Sequence, residues 1–586
     1  MSVRLGRRSI RSGAVVLVAF ALLVVVVSVL LPRFWARSAV WAQSDSVPDA
    51  ATNFDRPTYS SPIALSADKN HVWVVNPDDD TVSVITGLNG VPSVAGSFGV
   101  GDEPQGIALD TNNTDPSKYR VYVASPADNG ISIIKVTASD ATVVTAILEV
   151  PLLVTGAEPW NVVAAPDGRR IFVANSGQDT ITVLRTDTNP PSIVGNVLLA
   201  GSACNVGDLN RHFQPRGMAV TLAGDRLYVT RFLSFTRAGG VQADDNGKEG
   251  IVCQLSIPPA IGTLPSVVGP VTLASRVTGF NIDSNGDTVP DATSAYPNQL
   301  QSIVIRGGRA YLPNIAASPS RPLRFNVNTQ AFVNSITNAA AGVPADAGAL
   351  NLHLGARDPE AGKKKLFFSN PWAIAFSNES GAGNAYVVSS GSDLLVKLNV
   401  NASGAISFTN DISTTRYIDL NDPANAATAG TNAGKNPLGI VIRNIAPANN
   451  RAYVMNYVSR NVSVVNLATD SVERVIALTS LPPAGTQEEQ LQVGKEIFFS
   501  SRGHFNRPAG TTVSTDERLS SEGWQNCASC HFAALTDGTV WAFGAGPRKS
   551  VPLNATWSPQ NPLDQRILNY SAIFDEVQDF ELNIRN

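Results

Sequence analysis

One phrase, written seven times, constrains this 586-residue chain more than anything else in it. Each copy holds a proline, an apolar alternating strand, a turn, a second strand of the type "VYV", then a polar turn and often a third strand. Its prolines fall at 62, 104, 159, 215, 297, 371 and 437, and "EPWNVVAAPDGRRIFVANSGQDTITVL" from Glu158 is a full instance. The alternation has the period of a strand packed on one face. Asp-Gly, Gly-Asp and Gly-Gly pairs sit between strands, where a hairpin needs positive φ. One such unit cannot bury its apolar face alone, so neighbours must stack. Repeats of roughly 40–50 residues with several strands each imply propeller blades. Seven copies predict a mainly β fold, a seven-bladed β-propeller. The widest gap holds an insertion from about 238 to 295.

Composition agrees with that class. Charged residues are 16% of the chain, while glycine (46) and proline (37) are plentiful, as tight turns require. The net charge of −4 gives no electrostatic case for a nucleic-acid partner. Over residues 45–475 the repeats resemble the YVTN-type seven-bladed propellers, most clearly at Pro159–Asn175 and Pro437–Asn456.

The N-terminus carries an address. Arg4, Arg7, Arg8 and Arg11 precede an apolar run from Ala14 to Leu31, followed by small residues at Val40 and Ala42. Residues 1–42 read as a signal peptide or an N-terminal membrane anchor; both stay open, and either exports the remainder to the periplasm or cell surface. In an oxidising compartment Cys204 and Cys253 could form a disulfide; two buried thiols in different strands is the plainer alternative.

Inside the insertion, "DSNGDTVPD" places Asp283, Asn285, Asp287 and Asp291 at alternating positions, like the first part of a calcium loop. The late bidentate Glu is missing, so a turn rich in Asp and Asn is the competing reading. His71, His212 and His353 stand alone in different blades and read as structural.

After the last blade, residues 476–487 form a Pro/Gly/Thr linker, and 488–586 read as a small α-helical domain. Its opening helix puts Leu491, Val493, Ile497 and Phe498 mostly on one face. Then comes "LSSEGWQNCASCHF". C-x-x-C-H is the c-type haem attachment signature: Cys527 and Cys530 on one helical turn can each bond a haem vinyl group, and His531 is placed to ligate iron. A zinc site would need two more ligands at regular spacing, and a redox dithiol needs no His. The domain therefore reads as cytochrome c-like, with covalently bound haem c as cofactor.

"GKEIFF" ahead of the motif, with Asp537, Gly538, Gly546, Arg548, Pro552 and Asn554 after it, resembles the first haem module of bacterial di-haem cytochrome c peroxidases and MauG-like proteins. The resemblance covers about 100 residues, from Glu488 onward. It implies Arg548 near the haem edge and Trp541 against the porphyrin, with core packing as the other reading of Trp541. The methionines are Met1, Met218 and Met455, all upstream, so His504 is the remaining candidate for the sixth iron position. The tail reads as a helix in progress, and the second haem module of that family does not follow; a truncated chain is the expectation.

Three functions compete. The first is an extracytoplasmic electron-transfer cytochrome that uses the propeller to dock a redox partner. The second is a peroxidase-like enzyme lacking its second haem, and the third a surface-binding propeller with an accessory haem.

Overall fold

The computed structural model describes residues 58–553 apart from 111–114, 206–211, 284–285, 321, 324–326, 358, 364, 410–414, 447–448, 503–520 and 545, together with the backbone of 557–558 and 561–565. Residues 1–42, read from the sequence as a signal peptide or membrane anchor, and His504 lie outside the described residues. Among the described residues, no helix is long and apolar enough to cross a membrane.

Seven antiparallel sheets of at least four strands follow one another along the chain, at residues 63–99, 106–154, 159–198, 215–273, 304–351, 371–419 and 437–477. These are the seven blades of a β-propeller. Each begins with its innermost strand and works outward. The "VYV" strand is always second and is buried nearly throughout, as Val72–Asn76, Tyr119–Ser125 and Arg170–Asn175 illustrate. The fourth strands escaped the sequence reading because one face meets solvent: Ser93–Gly99 alternates exposed and half-buried along its whole length. Residues 248–273, inside the span read as an insertion, supply the third and fourth strands of blade 4. What remains inserted is the hairpin Arg276–Ile282 with Asp291–Ala295.

Two side-chain devices explain why the phrase recurs. The first is the Asn that ends the second strand. Asn175 Nδ2 donates to Thr180 Oγ1 (3.0 Å) and Thr182 Oγ1 (2.8 Å) on the third strand. Asn76 does the same to Thr81 and Ser83, and Asn456 to Asn461 and Ser463. A buried amide that crosses the hairpin fixes its register while satisfying its own donors.

The second device joins blades. The turn after the second strand holds a residue in the left-handed region, and so does the residue before the next blade's first strand. The first accepts a hydrogen bond from the backbone N–H of the second. Asp80 Oδ1 takes Glu103 N (3.1 Å), Asn129 Oδ1 takes Glu158 N (3.0 Å), Asp179 Oδ1 takes Gln214 N (2.8 Å) and Asp393 Oδ1 takes Asn436 N (2.8 Å). Asp and Asn tolerate positive φ and carry the short acceptor the contact needs. At the closure of the ring Arg460, at φ 51°, occupies the turn position and reaches Asp78 (3.1 Å) and Asp79 (3.3 Å) of blade 1. Gly439 lies so close to blade 1 that a Cβ there would come within 2.7 Å of Pro62.

The centre is plugged. Thr58–Tyr59 pairs antiparallel with the innermost strand of blade 4, Thr58 opposite Val220 and Tyr59 opposite Ala219. Ser61 then bridges to Ile107 of blade 2. Beside this crossing strand a cavity of about 30 Å³ remains, lined in part by Tyr59, Asn161, Ser302 and Ile374. Cys204 and Cys253 form a disulfide that ties the turn after blade 3 to blade 4.

The latch residue Asp393 is buried, which raises its pKa to about 6 against the pull of Arg502 and Lys435. Below about pH 4 it holds its proton whether the chain is folded or not. As pH climbs through 6 the unfolded chain releases that proton first, so this group's stabilisation is lost with rising pH, by on the order of 3 kcal/mol. Asp393→Asn is expected to remove that part of the slope. Denaturant unfolding of both proteins from pH 4 to 7 measures it, and parallel slopes would disprove the assignment.

Candidate functional site

After blade 7 the chain lies on the face of the propeller where the inner strands begin. Helices there are short: α1 (His353–Arg357) within the propeller, α2 (Gln487–Phe499), and the single turn α3 (Cys527–Cys530). A distinct helical domain is not shown by the described residues. Thr486 caps α2, accepting from Glu489 N. The face that docks is not the apolar one read from the sequence, for Leu491 and Ile497 are exposed. Contact runs through Gln492, Lys495, Glu496 and Phe499. Lys435 pairs with Glu496 (2.6 Å), Lys495 with Asp78, and Phe499 meets Tyr457 edge-on. The propeller surface here is polar, so it selects the polar side of the helix.

Further along, Arg502 is buried and forks onto Asp419 at 2.5 and 3.0 Å. Ser501 sits among Ser369, Ser392 and the Gly391 carbonyl. Trp524 inserts into the core between blades 5 and 6, its indole donating to the Thr329 carbonyl (2.8 Å), with the His353 ring tilted against it 4.0 Å away. Burial drives the His353 pKa down to about 3. His71 is likewise buried and bonds the Asp140 carbonyl, and His212 lies beside Asp179 (3.1 Å).

These anchors lead into the C-A-S-C turn. Asn526 and Ser529 form a reciprocal capping box. The propeller grips the same two residues: Asn370 Nδ2 donates to Asn526 Oδ1 (2.8 Å), Ser529 Oγ to Asn370 Oδ1 (2.7 Å), and Gln299 Nε2 to the Ser529 carbonyl (2.7 Å). Both thiols are free of any disulfide. Cys530 packs near Tyr296, Ala317 and Trp541, and burial with the neighbouring Asp537 raises its thiol pKa. His531 follows, its Nδ1 held 2.9 Å from the Val551 carbonyl. That contact leaves Nε2 as the nitrogen available for ligation, the arrangement a metal-bound imidazole adopts.

The other sequence candidates spread out. Trp541 is a core residue whose Nε1 donates to Asp537 Oδ2 (3.0 Å). Arg548 lies opposite it across the hairpin Val540–Phe543 with Gly546–Lys549. In the inserted hairpin, Asp283 accepts from Gly286 N and Thr288 N, and Asp287 from Val289 N. Asn285 lies outside the described residues. Among the described residues no three His, Cys, Asp or Glu side chains gather as a metal-binding group.

Sequence reasoning missed the cavity beneath this turn. It encloses about 690 Å³ between the plugged channel and residues 528–535. Its floor comes from one repeat position, the residue after each blade's leading proline: Gln105, Trp160, Arg216, Trp372 and Leu438. Phe532 descends into it, stacked on Trp372 (5.2 Å) and tilted against Phe232 (4.8 Å). The signal was the second letter of P-x-G, P-x-N and P-x-A, legible only once the phrases are aligned on their prolines.

No family model and no curated protein matches this chain. Among solved structures, hydrazine synthase of Kuenenia stuttgartiensis aligns with a TM-score of 0.42 at 14% identity, covering 74% of this chain and 100% of that one. The periplasmic gluconolactonase PpgL of Pseudomonas aeruginosa aligns at 0.37 and 15%, over 60% and 84%. The dihydro-heme d1 dehydrogenase NirN aligns at 0.37 and 11%, over 75% and 82%.

Removing Arg502 leaves Asp419 and the buried Asp393 without their shared cation. Arg502→Ala is therefore expected to speed limited proteolysis of the segment after α2 by at least about tenfold. An unchanged rate would mean that the segment is held elsewhere.

Proposed function

We propose that this protein is an extracytoplasmic c-type cytochrome that carries one haem on α3 and transfers electrons, with the propeller as the platform that seats the haem-bearing turn. The observation that carries the reading is the pairing of two free thiols on one capped helical turn with an imidazole whose Nδ1 already has a backbone acceptor. These residues fit haem c. Each S–H of Cys527 and Cys530 would add across one vinyl group to form a thioether, with no leaving group and no oxidant. His531 Nε2 would hold the iron. When bound, haem supplies a one-electron iron couple whose potential follows axial ligation and burial.

The chain's own residues do the holding. Val551 fixes the tautomer and ring orientation of His531. Asn370, Gln299 and Asn526 fix the turn, and Asp537 with Trp541 braces the Cys530 side. The Cys204–Cys253 disulfide supports an oxidising, exported location.

The test is a haem stain on a denaturing gel of the full chain produced in cells that attach haem c. Wild type should keep its haem through denaturation, and Cys527→Ser with Cys530→Ser should lose it. A wild-type chain that releases all its haem would refute covalent attachment. Visible spectra with and without peroxide then separate electron transfer, which leaves the ferric spectrum unchanged, from a peroxidase-like reaction.

A further inference from the structure

Arg216 is a buried cation beneath the cysteine turn. It sits in the second position of the inner strand of blade 4, where the equivalent residues are Trp160 and Trp372 in blades 3 and 6. Its residue surface is 4% exposed. Its guanidinium lies 3.5 Å from the centre of the Trp160 ring, 4.6 Å from Phe232 and 5.3 Å from Phe532. Such contacts with aromatic rings stabilise a cation, but they satisfy none of its N–H groups. Nε and Nη1 have no hydrogen-bond partner. Burial draws its pKa down to about 9, with Glu158 opposing through space, so the group stays charged at neutral pH. A buried cation with two unpaired donors is costly unless something accepts from it.

The cavity it lines supplies room for an acceptor of stated character. Its 690 Å³ is within the range of organic ligand sites. Trp160, Trp372, Phe532, Leu438 and Phe499 make much of the wall apolar. Charge at the rim limits the ligand further. Asp78 is engaged by Lys495, and Glu103 and Glu158 stand exposed at the blade 2 and blade 3 sides. One buried positive charge facing two carboxylates suits a monoanion better than a phosphate dianion. Cys527, Cys530 and His531 do not line the cavity.

We propose that the cavity at the channel mouth binds an organic monocarboxylate, its carboxylate accepting from Arg216 Nε and Nη1 and its apolar body lying against Trp160, Trp372 and Phe532. Planar carboxylate matches the guanidinium edge with two parallel hydrogen bonds. The thiols and the imidazole are not among its lining residues, although Ala528 and Phe532 of the same stretch are.

2-Naphthoate is a suitable probe, measured by calorimetry and by quenching of indole fluorescence on the full chain. Binding is expected, weaker by about 30-fold for the neutral 2-naphthamide and by a similar factor for Arg216→Gln. The comparison of the two ligands on wild type needs no folded variant. Equal affinity for acid and amide would overturn the proposal, as would tighter binding of 2-naphthyl phosphate or no binding at all. A haem propionate offers the same carboxylate chemistry, so the titration is repeated on Cys527→Ser with Cys530→Ser. Binding to both chains supports a free acid as ligand; binding only to the cysteine-less chain would overturn it in favour of a propionate.

Discussion

The propeller depends on one hydrogen bond repeated at four blade junctions, from a backbone N–H at the start of a blade to an Asp or Asn side chain in the previous blade's turn. Packed sheets can slide, because dispersion and hydrophobic contacts have little direction. The latch adds direction. It binds the end of one blade's hairpin to the first residue of the next, and both partners must hold positive φ for the donor and acceptor to meet. Glu103, Glu158, Gln214 and Asn436 are thereby locked immediately before a proline whose ring fixes the inner strand's first φ. The residue after the proline is then aimed at the axis, and the cavity floor is built from those residues. The shape of the site is therefore a consequence of blade-to-blade bonding. Between blades 7 and 1, Arg460 with Asp78 and Asp79 does the same job with charge.

The segment after blade 7 extends this logic. It brings little core of its own, and its described residues are held by groups the propeller already presents: Gln299 and Asn370 from the row of residues at strand starts, Asp393 and Asp419 from blade 6, Tyr457 from blade 7. Trp524 and Phe532 are its two apolar pegs, one between blades and one on the axis. The turn Cys527–Cys530 lies between them, so both ends of the C-A-S-C-H stretch are fixed by the β fold.

Much of this was legible in the sequence. Seven prolines with alternating strands gave seven blades, because a period-2 pattern bounded by turn residues has few other solutions. The recurrent Asn of "VAN" and "VMN" was visible, although its reason, the bond across the hairpin, needed side-chain geometry. The cysteine turn was read from spacing alone. What stayed hidden were features in which local pattern and tertiary environment disagree. The outer strands are half exposed, so they carry too few apolar residues to stand out. Helix α2 presents its polar side inward because one buried ion pair, Lys435–Glu496, and one part-buried pair, Lys495–Asp78, await it. Arg216 looks like a surface residue by type, and only the ring places it among aromatic side chains.

The strand Thr58–Tyr59 has a consequence for how the chain is assembled. It hydrogen-bonds to Ala219 and Val220, across the ring and about 160 residues later. The strand it pairs with must therefore exist before this first segment can settle, although it leaves the ribosome long before that strand. Thr58–Tyr59 is a late-closing bolt: three blades are synthesised while it waits, and the axis is shut only when the fourth arrives.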